Sequence, residues 1–412
     1  MKRWLILMLV GVTLLGVGLA FVLVEIYHGG YLPPYLDILT LQTIPRPLRA
    51  VGLGAAGVAA ATYAVVRLSK MVLEPLAPSG RSVAAAVVER RRKQRGPRVV
   101  AIGGGTGLAV LLRGLKEHTS NIAAIVTVAD DGGSSGRLRR ELGVPPPGDL
   151  RNCMAALADD EALLTQLFQY RFGAGNGVEG HSFGNLFISA MTGVTGSFET
   201  ALAVSSQVLA IGGRVLPATL ENVSLTADVR ESIHGRAQRV TGESAIPDDM
   251  GVIEHVHLQP QEAAAYPQAV QAILGADLII AGPGSLFTSV LPNLLVPDIA
   301  AAIRSSRALC IYVCNVATQK GETDGFSVWE HVQNLHTHTD GTMFPIVLAN
   351  NRWQGALLPG MEWVTSGNHI NGVGEVVAAD VVDEKSPWRH DSGKLAAALL
   401  RLLKHGGPAP ML

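Results

Sequence analysis

The stretch Arg98-Val99-Val100-Ala101-Ile102-Gly103-Gly104-Gly105-Thr106-Gly107-Leu108 runs from a short β-branched segment into a glycine cluster, and leucines at 108, 111, 112 and 115 continue it with helical spacing. The order is strand, glycine turn, helix. In that order the glycines let backbone N–H groups approach a phosphate, and the start of the helix adds a favourable dipole. Alone, the stretch reads either as a phosphate cradle or as a plain tight turn. It is not a dinucleotide fingerprint, because Leu108 stands where the third glycine of G-x-G-x-x-G falls.

The pattern repeats downstream. A second strand, Ile122 to Val128, ends in Asp130-Asp131-Gly132-Gly133-Ser134-Ser135-Gly136. Two carboxylates there can accept ribose hydroxyls or hold Mg²⁺. The competing reading is a polar turn with an Asx cap before a helical turn from Arg137 to Glu141. Pro145-Pro146-Pro147-Gly148-Asp149-Leu150-Arg151-Asn152 follows, a rigid loop opening a helix, with Asp149 as its expected N-cap. Arg151 either reaches a phosphate or pairs with a carboxylate such as Asp149. The run Gly180-His181-Ser182-Phe183-Gly184-Asn185-Leu186 opens another helix, with His181 and Asn185 over the same ligand or in structural hydrogen bonds.

Ala276 to Ala281 is a continuous apolar strand, followed by the second glycine loop, Gly282-Pro283-Gly284-Ser285-Leu286-Phe287-Thr288-Ser289, whose Ser285 and Thr288, with Asn293 beyond, can bind a phosphate or sugar. Leu309 to Val313 ends in Cys314-Asn315, with Thr318, Gln319 and Glu322 further on. Repeated strand, polar loop, helix units describe an α/β fold: a mostly parallel, Rossmann-like sheet with helices on both faces and its ligand outside the carboxyl ends of the strands.

Composition narrows the function. The formal net charge is −1, and outside one arginine run no basic stripe suits a nucleic-acid backbone. Three cysteines without ligand-like spacing argue against a disulfide framework, and Cys310 and Cys314 lie on an apolar strand, where free cysteine acts as a small hydrophobe. The pairs His255/His257 and His336/His338 share a strand face if extended, yet no third metal ligand is near, so they read as packed or surface histidines.

The 48% hydrophobic fraction is concentrated at the N-terminus. Residues 5–24 are long and apolar enough to span a bilayer, too long for a signal-peptide core and without a clear cleavage site. Residues 50–66 are a second, shorter span rich in Gly and Ala. Lys2 and Arg3 precede the first; Arg67, Lys70 and the run Arg90, Arg91, Arg92, Lys93, Arg95 follow the second, so the positive-inside rule places the N-terminus and the main domain in the cytoplasm. The expected organisation is a transmembrane hairpin over 1–70, a basic linker over 71–97 and an α/β domain over 98–412. The arginine run is a topology signal, or also a patch for anionic lipid head groups.

Together, IGGGTGL at 102–108, DDGGSSGRL at 130–138, GDLRN at 148–152, GHSFGNL at 180–186, GPGSLFTSVLPNLL at 282–295 and YVCNVATQKGET at 312–323 resemble the bacterial gluconeogenesis-factor family, itself similar to the 2-phospho-L-lactate transferases. The resemblance covers about 98–403. It implies a modified Rossmann-like fold that binds UDP-N-acetylglucosamine, and a regulatory role linking carbon metabolism to peptidoglycan precursor synthesis and cell shape, partly through glucosamine-6-phosphate synthase. Carried over by position, Gly103 to Gly107 and Gly282 to Ser285 cradle the diphosphate, while Asp130, Asp131, Asn185 and Asn315 read the ribose or base. The hairpin departs from the usual soluble family member. Two further readings stay open: an Mg²⁺-dependent phosphotransferase using Asp130 or Asp131, with His181 the one evident base, and an NAD-dependent oxidoreductase, disfavoured by Leu108. As a regulator the protein needs no cofactor, and pairing into a homodimer suits such domains.

Overall fold

The computed structural model describes residues 83–158, 161–173, 177–230, 237–246, 251–366 and 374–406, and before residue 83 only Val12, Gly16, Ala20, Leu23, Val24 and Tyr27. The chain divides into two compact units, Met1–Val87 and Val88–Leu412. The expected spans 5–24 and 50–66 therefore lie, but for those scattered positions, outside the described residues. Among the described residues no single helix is long and apolar enough to cross a membrane, and two apolar helix pairs that add up to such a length are sharply bent, by 118° and 74°.

Helix α1 (Val83–Gln94) is followed by strand β1 (Val99–Gly103). β1 leads through the glycine turn into α2 (Gly105–Leu115). Leu108, Leu111, Leu112 and Leu115 are all fully buried, as their spacing requires of one helix face. The chain continues through β2 (Ile122–Val126), α3 (Gly133–Leu142), α4 (Gly148–Leu157), α5 (Glu161–Gln169), α6 (Phe183–Thr195) and α7 (Phe198–Val208) to β3 (Arg214–Pro217). After an excursion come α8 (Pro267–Leu274), β7 (Leu278–Ala281), a π-turn at Leu286–Val290 that runs into α9 (Leu291–Leu294), α10 (Pro297–Ser305), β8 (Leu309–Val313), α11 (Val328–His338), β9 (Ile346–Asn350), β10 (Glu375–Ala379) and α12 (Ser392–His405).

The seven strands form one sheet in the order β10-β9-β8-β7-β1-β2-β3, and every neighbouring pair is parallel. The expected mostly parallel sheet is thus wholly parallel. β1, β2, β7 and β9 are buried at every position, so both of their faces are covered. β1 pairs with β2 on one side and with β7 on the other, which makes the gap between β1 and β7 the place where strand order reverses. Loops leaving two strands in opposite directions open a crevice at that point.

The excursion between β3 and α8 forms a separate three-stranded antiparallel sheet, β5-β4-β6, from β4 (Ser224–Arg230), β5 (Ala237–Thr241) and β6 (Val252–Gln259). His255 and His257 lie on β6, whereas His336 and His338 fall on helix α11, so the second pair does not have the strand spacing expected of it. His338 instead accepts the Val256 N–H on Nε2 at 3.0 Å, and no group of three or more metal-ligating side chains occurs among the described residues. The three cysteines are free and buried, and burial pushes the Cys310 thiol up to about 11.

Close approach of α2 and α12 depends on Gly114: a Cβ placed there would stand 1.9 Å from the Ser392 carbonyl oxygen. Gly114→Ala is therefore expected to force the C-terminal helix away and cost about 1–3 kcal/mol of stability, read as a lowered urea midpoint with unchanged slope.

Candidate functional site

The glycine loops after β1 and β7 meet at the reversal point. Gly104 is extended, with φ −168° and ψ −175°, while Gly105 turns left-handed at φ 62° to begin α2. At Gly107 a Cβ would lie 2.6 Å from the Pro283 carbonyl oxygen, so the two loops touch backbone to backbone and only glycine fits. Gly282, at φ 78°, turns the second loop. Buried Asn293 secures the pair from below: its Nδ2 donates to the carbonyls of Gly103 at 3.1 Å and Ser289 at 2.8 Å. Asn315 brackets Gly284, accepting its N–H at 3.3 Å and donating to its carbonyl at 2.9 Å.

Above the loops lies a cleft of about 490 Å³. Of the residues expected at a site, Gly104, Gly105, Thr106, Gly107, Gly284, Ser285, Thr288 and Asn315 line it. Gly103, Gly282 and Asn293 sit just beneath as support. Ser285 caps the π-turn by accepting the Thr288 N–H, and both hydroxyls donate to the Glu322 carboxylate, Thr288 at 3.3 Å. Burial raises the Glu322 carboxyl above its usual range, while those hydroxyls and the Phe287 and Thr288 N–H groups hold it back. An internal carboxylate thus occupies a cradle of donors suited to any anion.

The other expected residues form an adjoining wall. Asp130 accepts the Gly132 N–H at 2.9 Å in an Asx turn, and α3 starts at Gly133, four residues before the position expected for it. Asp131 accepts the Ser244 N–H at 3.0 Å and hydroxyl at 2.9 Å, which ties the small sheet to this edge. Arg151 is buried and donates to Ser182 Oγ at 2.6 Å, Asn185 Oδ1 at 3.1 Å and Asn152 Oδ1 at 2.9 Å. It is neither free to roam nor paired with Asp149. Asn185 donates to Ser134 Oγ at 3.1 Å, and Ser134 Oγ lies 2.9 Å from Nδ1 of buried His181. Asp149 is not the N-cap expected of it: Pro147 holds that place, and Asp149 lies in the first turn, accepting from the Gly105 N–H. The reason is space, since the carboxylate packs where a Cβ on Gly104 would come within 2.5 Å of it.

Carboxylates dominate the electrostatics. Burial, then Asp130, pushes Asp149 up to about 6. Glu243, in the turn after β5, is pushed up to about 8 by burial and then by Asp130, Asp149, Glu322 and Asp131. Burial likewise raises Asp130, whose oxygens are engaged by Gly132 and Ser135. Asp130, Asp131, Asp149 and Glu322 are each tied to protein N–H or O–H groups. Among the described residues Arg389 is the single Lys or Arg in the lining, beside Trp388 and His390 on the loop before α12; Leu358 and Met361 supply an apolar wall. None of Leu358, Met361, Trp388, Arg389 or His390 belongs to a glycine loop or strand end, so no local pattern marked them; Glu243 follows β5, an edge strand of the small sheet with no apolar run to announce it. Thr318, Gln319 and Glu322 did stand just past a strand, and all three line the cleft.

Residues 99–394 match the family model described as 2-phospho-L-lactate transferase CofD. The chain is 45% identical to the gluconeogenesis factor of Bacillus subtilis over 318 residues, which is 75% of this chain and 98% of that protein. A relative from Nostoc is 45% identical over 97% of this chain and 90% of its own, so that match runs on into the N-terminal apolar region. A crystal structure from Bacillus halodurans, 44% identical, superposes with a TM-score of 0.70 over 74% of this chain and the whole of the other.

Two outcomes follow from this geometry. Arg151→Ala leaves Ser182, Asn185 and Asn152 without their shared donor in a buried setting, for an expected loss of about 2–4 kcal/mol in chemical denaturation. A carboxyl raised in the native state keeps a proton that the unfolded chain has released, so Glu243 makes stability fall as pH rises from 4.5 to about 8. Glu243→Gln is therefore expected to raise the melting temperature at pH 8 by a few degrees and to change it little near pH 5.

Proposed function

The chain belongs to the gluconeogenesis-factor family, and from that membership and the cleft we propose that it is a regulator that binds a UDP-sugar, UDP-N-acetylglucosamine, and reports its level to the enzymes of peptidoglycan precursor supply, and so to cell shape. The observation that carries this reading is the meeting of two glycine loops at the strand-order reversal. Residues of both loops line one cleft, and both flanking asparagines hold the loop backbone. Arg389 is the cation in reach of a diphosphate, and the wall of Leu358, Met361 and Trp388 suits the flatter parts of a nucleotide-sugar. In this proposal Asp130, Asp131 and Asn185 act at one remove, fixing the loop edge rather than touching the ligand.

The transferase reading has the weaker support. Its candidate base, His181, lies outside the cleft lining, held against Ser134, and burial lowers its proton affinity. Its candidate Mg²⁺ ligands, Asp130 and Asp131, are engaged by protein donors.

Glucosamine-6-phosphate synthase is the partner we propose, and homodimerisation the assembly. We further propose that the apolar segments 5–24 and 50–66 anchor the protein in the cell membrane with the main domain on the cytoplasmic side. The quarter of the chain that the B. subtilis match leaves uncovered, set against the longer match to Nostoc, is what one expects if an anchor is a feature of some members only.

Calorimetric titration of the full chain with UDP-N-acetylglucosamine, UDP, GDP and NAD, with and without Mg²⁺, tests the reading. Micromolar binding of the UDP-sugar, about −8 kcal/mol, with the ligand recovered intact is expected. Preference for a guanine nucleotide, or a consumed ligand, replaces the regulator with the transferase. Arg389→Ala should weaken the UDP-sugar about tenfold or more. Affinity for the diphosphate should also fall as pH rises through about 8, where Glu243 becomes charged, and Glu243→Gln should flatten that dependence.

A further inference from the structure

At the pole of the domain opposite the cleft, a groove of about 930 Å³ runs between the end of α1 and the end of α12. Gly96 and Pro97, just before β1, and His118, just after α2, form its rim, while the cleft begins at Gly104, at the far end of β1. The two openings are therefore separated by the length of that strand, roughly 17 Å.

Five cations border the groove: Arg91, Arg92 and Arg95 on one side, Arg401 and Lys404 on the other. All five are exposed, and among the described residues none is paired with a carboxylate. The nearest acidic groups, Glu89 and Glu117, are both engaged by Lys93, at 3.9 and 3.4 Å. Val88, which is 67% exposed, and the half-buried Leu400 and Leu403 give the groove an apolar element between the charges. The basic wall is held in place rather than loosely attached. Asn121 donates to the carbonyls of Gln94 at 2.9 Å and Gly96 at 2.8 Å, and the Ser120 N–H donates to the Lys93 carbonyl at 3.1 Å.

Compensation of helix ends does not account for so much charge. The C-termini of α1, α2 and α12 all reach this pole, and each carries roughly half a negative charge, so together they balance about one and a half of the five cations. The excess faces solvent. A nucleic acid would want a polar groove of this charge, but the exposed valine and the leucines favour a surface that offers both phosphate and hydrocarbon.

We propose that this groove is a docking surface for a bilayer of anionic phospholipid, with the cations on the head-group phosphates and Val88, Leu400 and Leu403 toward the acyl boundary. In the sequence the groove's first residue follows the apolar stretch 50–66 by about twenty residues, which is the juxtamembrane place where basic clusters meet anionic lipid. Docking by this pole directs the ligand cleft away from the lipid, one strand length above it, where a soluble partner can reach it. The proposal does not depend on which nucleotide the cleft takes.

The test is amide hydrogen exchange of the full chain with vesicles of phosphatidylcholine alone or of phosphatidylcholine mixed with phosphatidylglycerol. Exchange over Val88–Gly96 and Leu395–His405 should slow about tenfold in the anionic vesicles only, and the protection should disappear in high salt. Arg401→Gln/Lys404→Gln, on an exposed helix surface, should abolish it while leaving the melting temperature and the nucleotide titration unchanged. Equal exchange with both lipids overturns the proposal. So does protection that survives the α12 variant and is lost only on neutralising Arg91, Arg92 and Arg95, because that is the behaviour of an unstructured basic tail.

Discussion

The contact on which the rest of the site depends is backbone against backbone, Gly107 beneath the Pro283 carbonyl. It brings together two loops that leave neighbouring parallel strands in opposite senses of the fold, and it works because Gly107 has no Cβ to meet the Pro283 carbonyl. Asn293 and Asn315 turn that proximity into a fixed geometry. Each spends its amide on loop backbone, and residues of both loops line the cleft. A site built from main chain is already shaped before a ligand arrives, and little conformational entropy remains to be lost on binding.

The cleft is nonetheless acidic, which is unusual company for a phosphate. Asp130, Asp149, Glu243 and Glu322 are all shifted toward the protonated form, chiefly by burial. Glu243, pushed up to about 8, holds its proton at neutral pH and is there a donor rather than a repelling charge. Glu322 goes further by lying in the donors of Ser285 and Thr288, where a ligand oxygen would otherwise bind. The charge at the cleft thus depends on the protonation and position of a few buried acids, and the small antiparallel sheet takes part because it delivers Glu243 and anchors Ser244 on Asp131.

The two poles of the domain divide the labour by charge. The carboxyl ends of the strands gather glycine loops and acids, while the amino ends, with three helix C-termini, gather exposed arginines and a lysine. A parallel sheet imposes such a polarity on any protein that uses it, because helices and strands each present like ends to like sides. Here the polarity separates a face of glycine loops from a face of exposed cations.

The α/β class, the strands β1, β2, β7 and β8, and both glycine loops were legible in the chain alone. Continuous apolar runs, glycine at turns and leucines at helical spacing are local constraints, and a buried parallel strand leaves a local mark. Local reading also found Thr318, Gln319 and Glu322, which follow a strand directly. It misplaced Asp149 as a cap, because the cap position was taken by a proline and the carboxylate had a neighbour, Gly104, about forty residues away in sequence. It passed over Glu243, Leu358, Met361, Trp388 and Arg389 altogether. These come from a β-excursion and from loops near the C-terminus, and nothing in their own surroundings signals a ligand. Only the order of the strands brings them over the two glycine loops, and strand order is a long-range property that no short window of sequence carries.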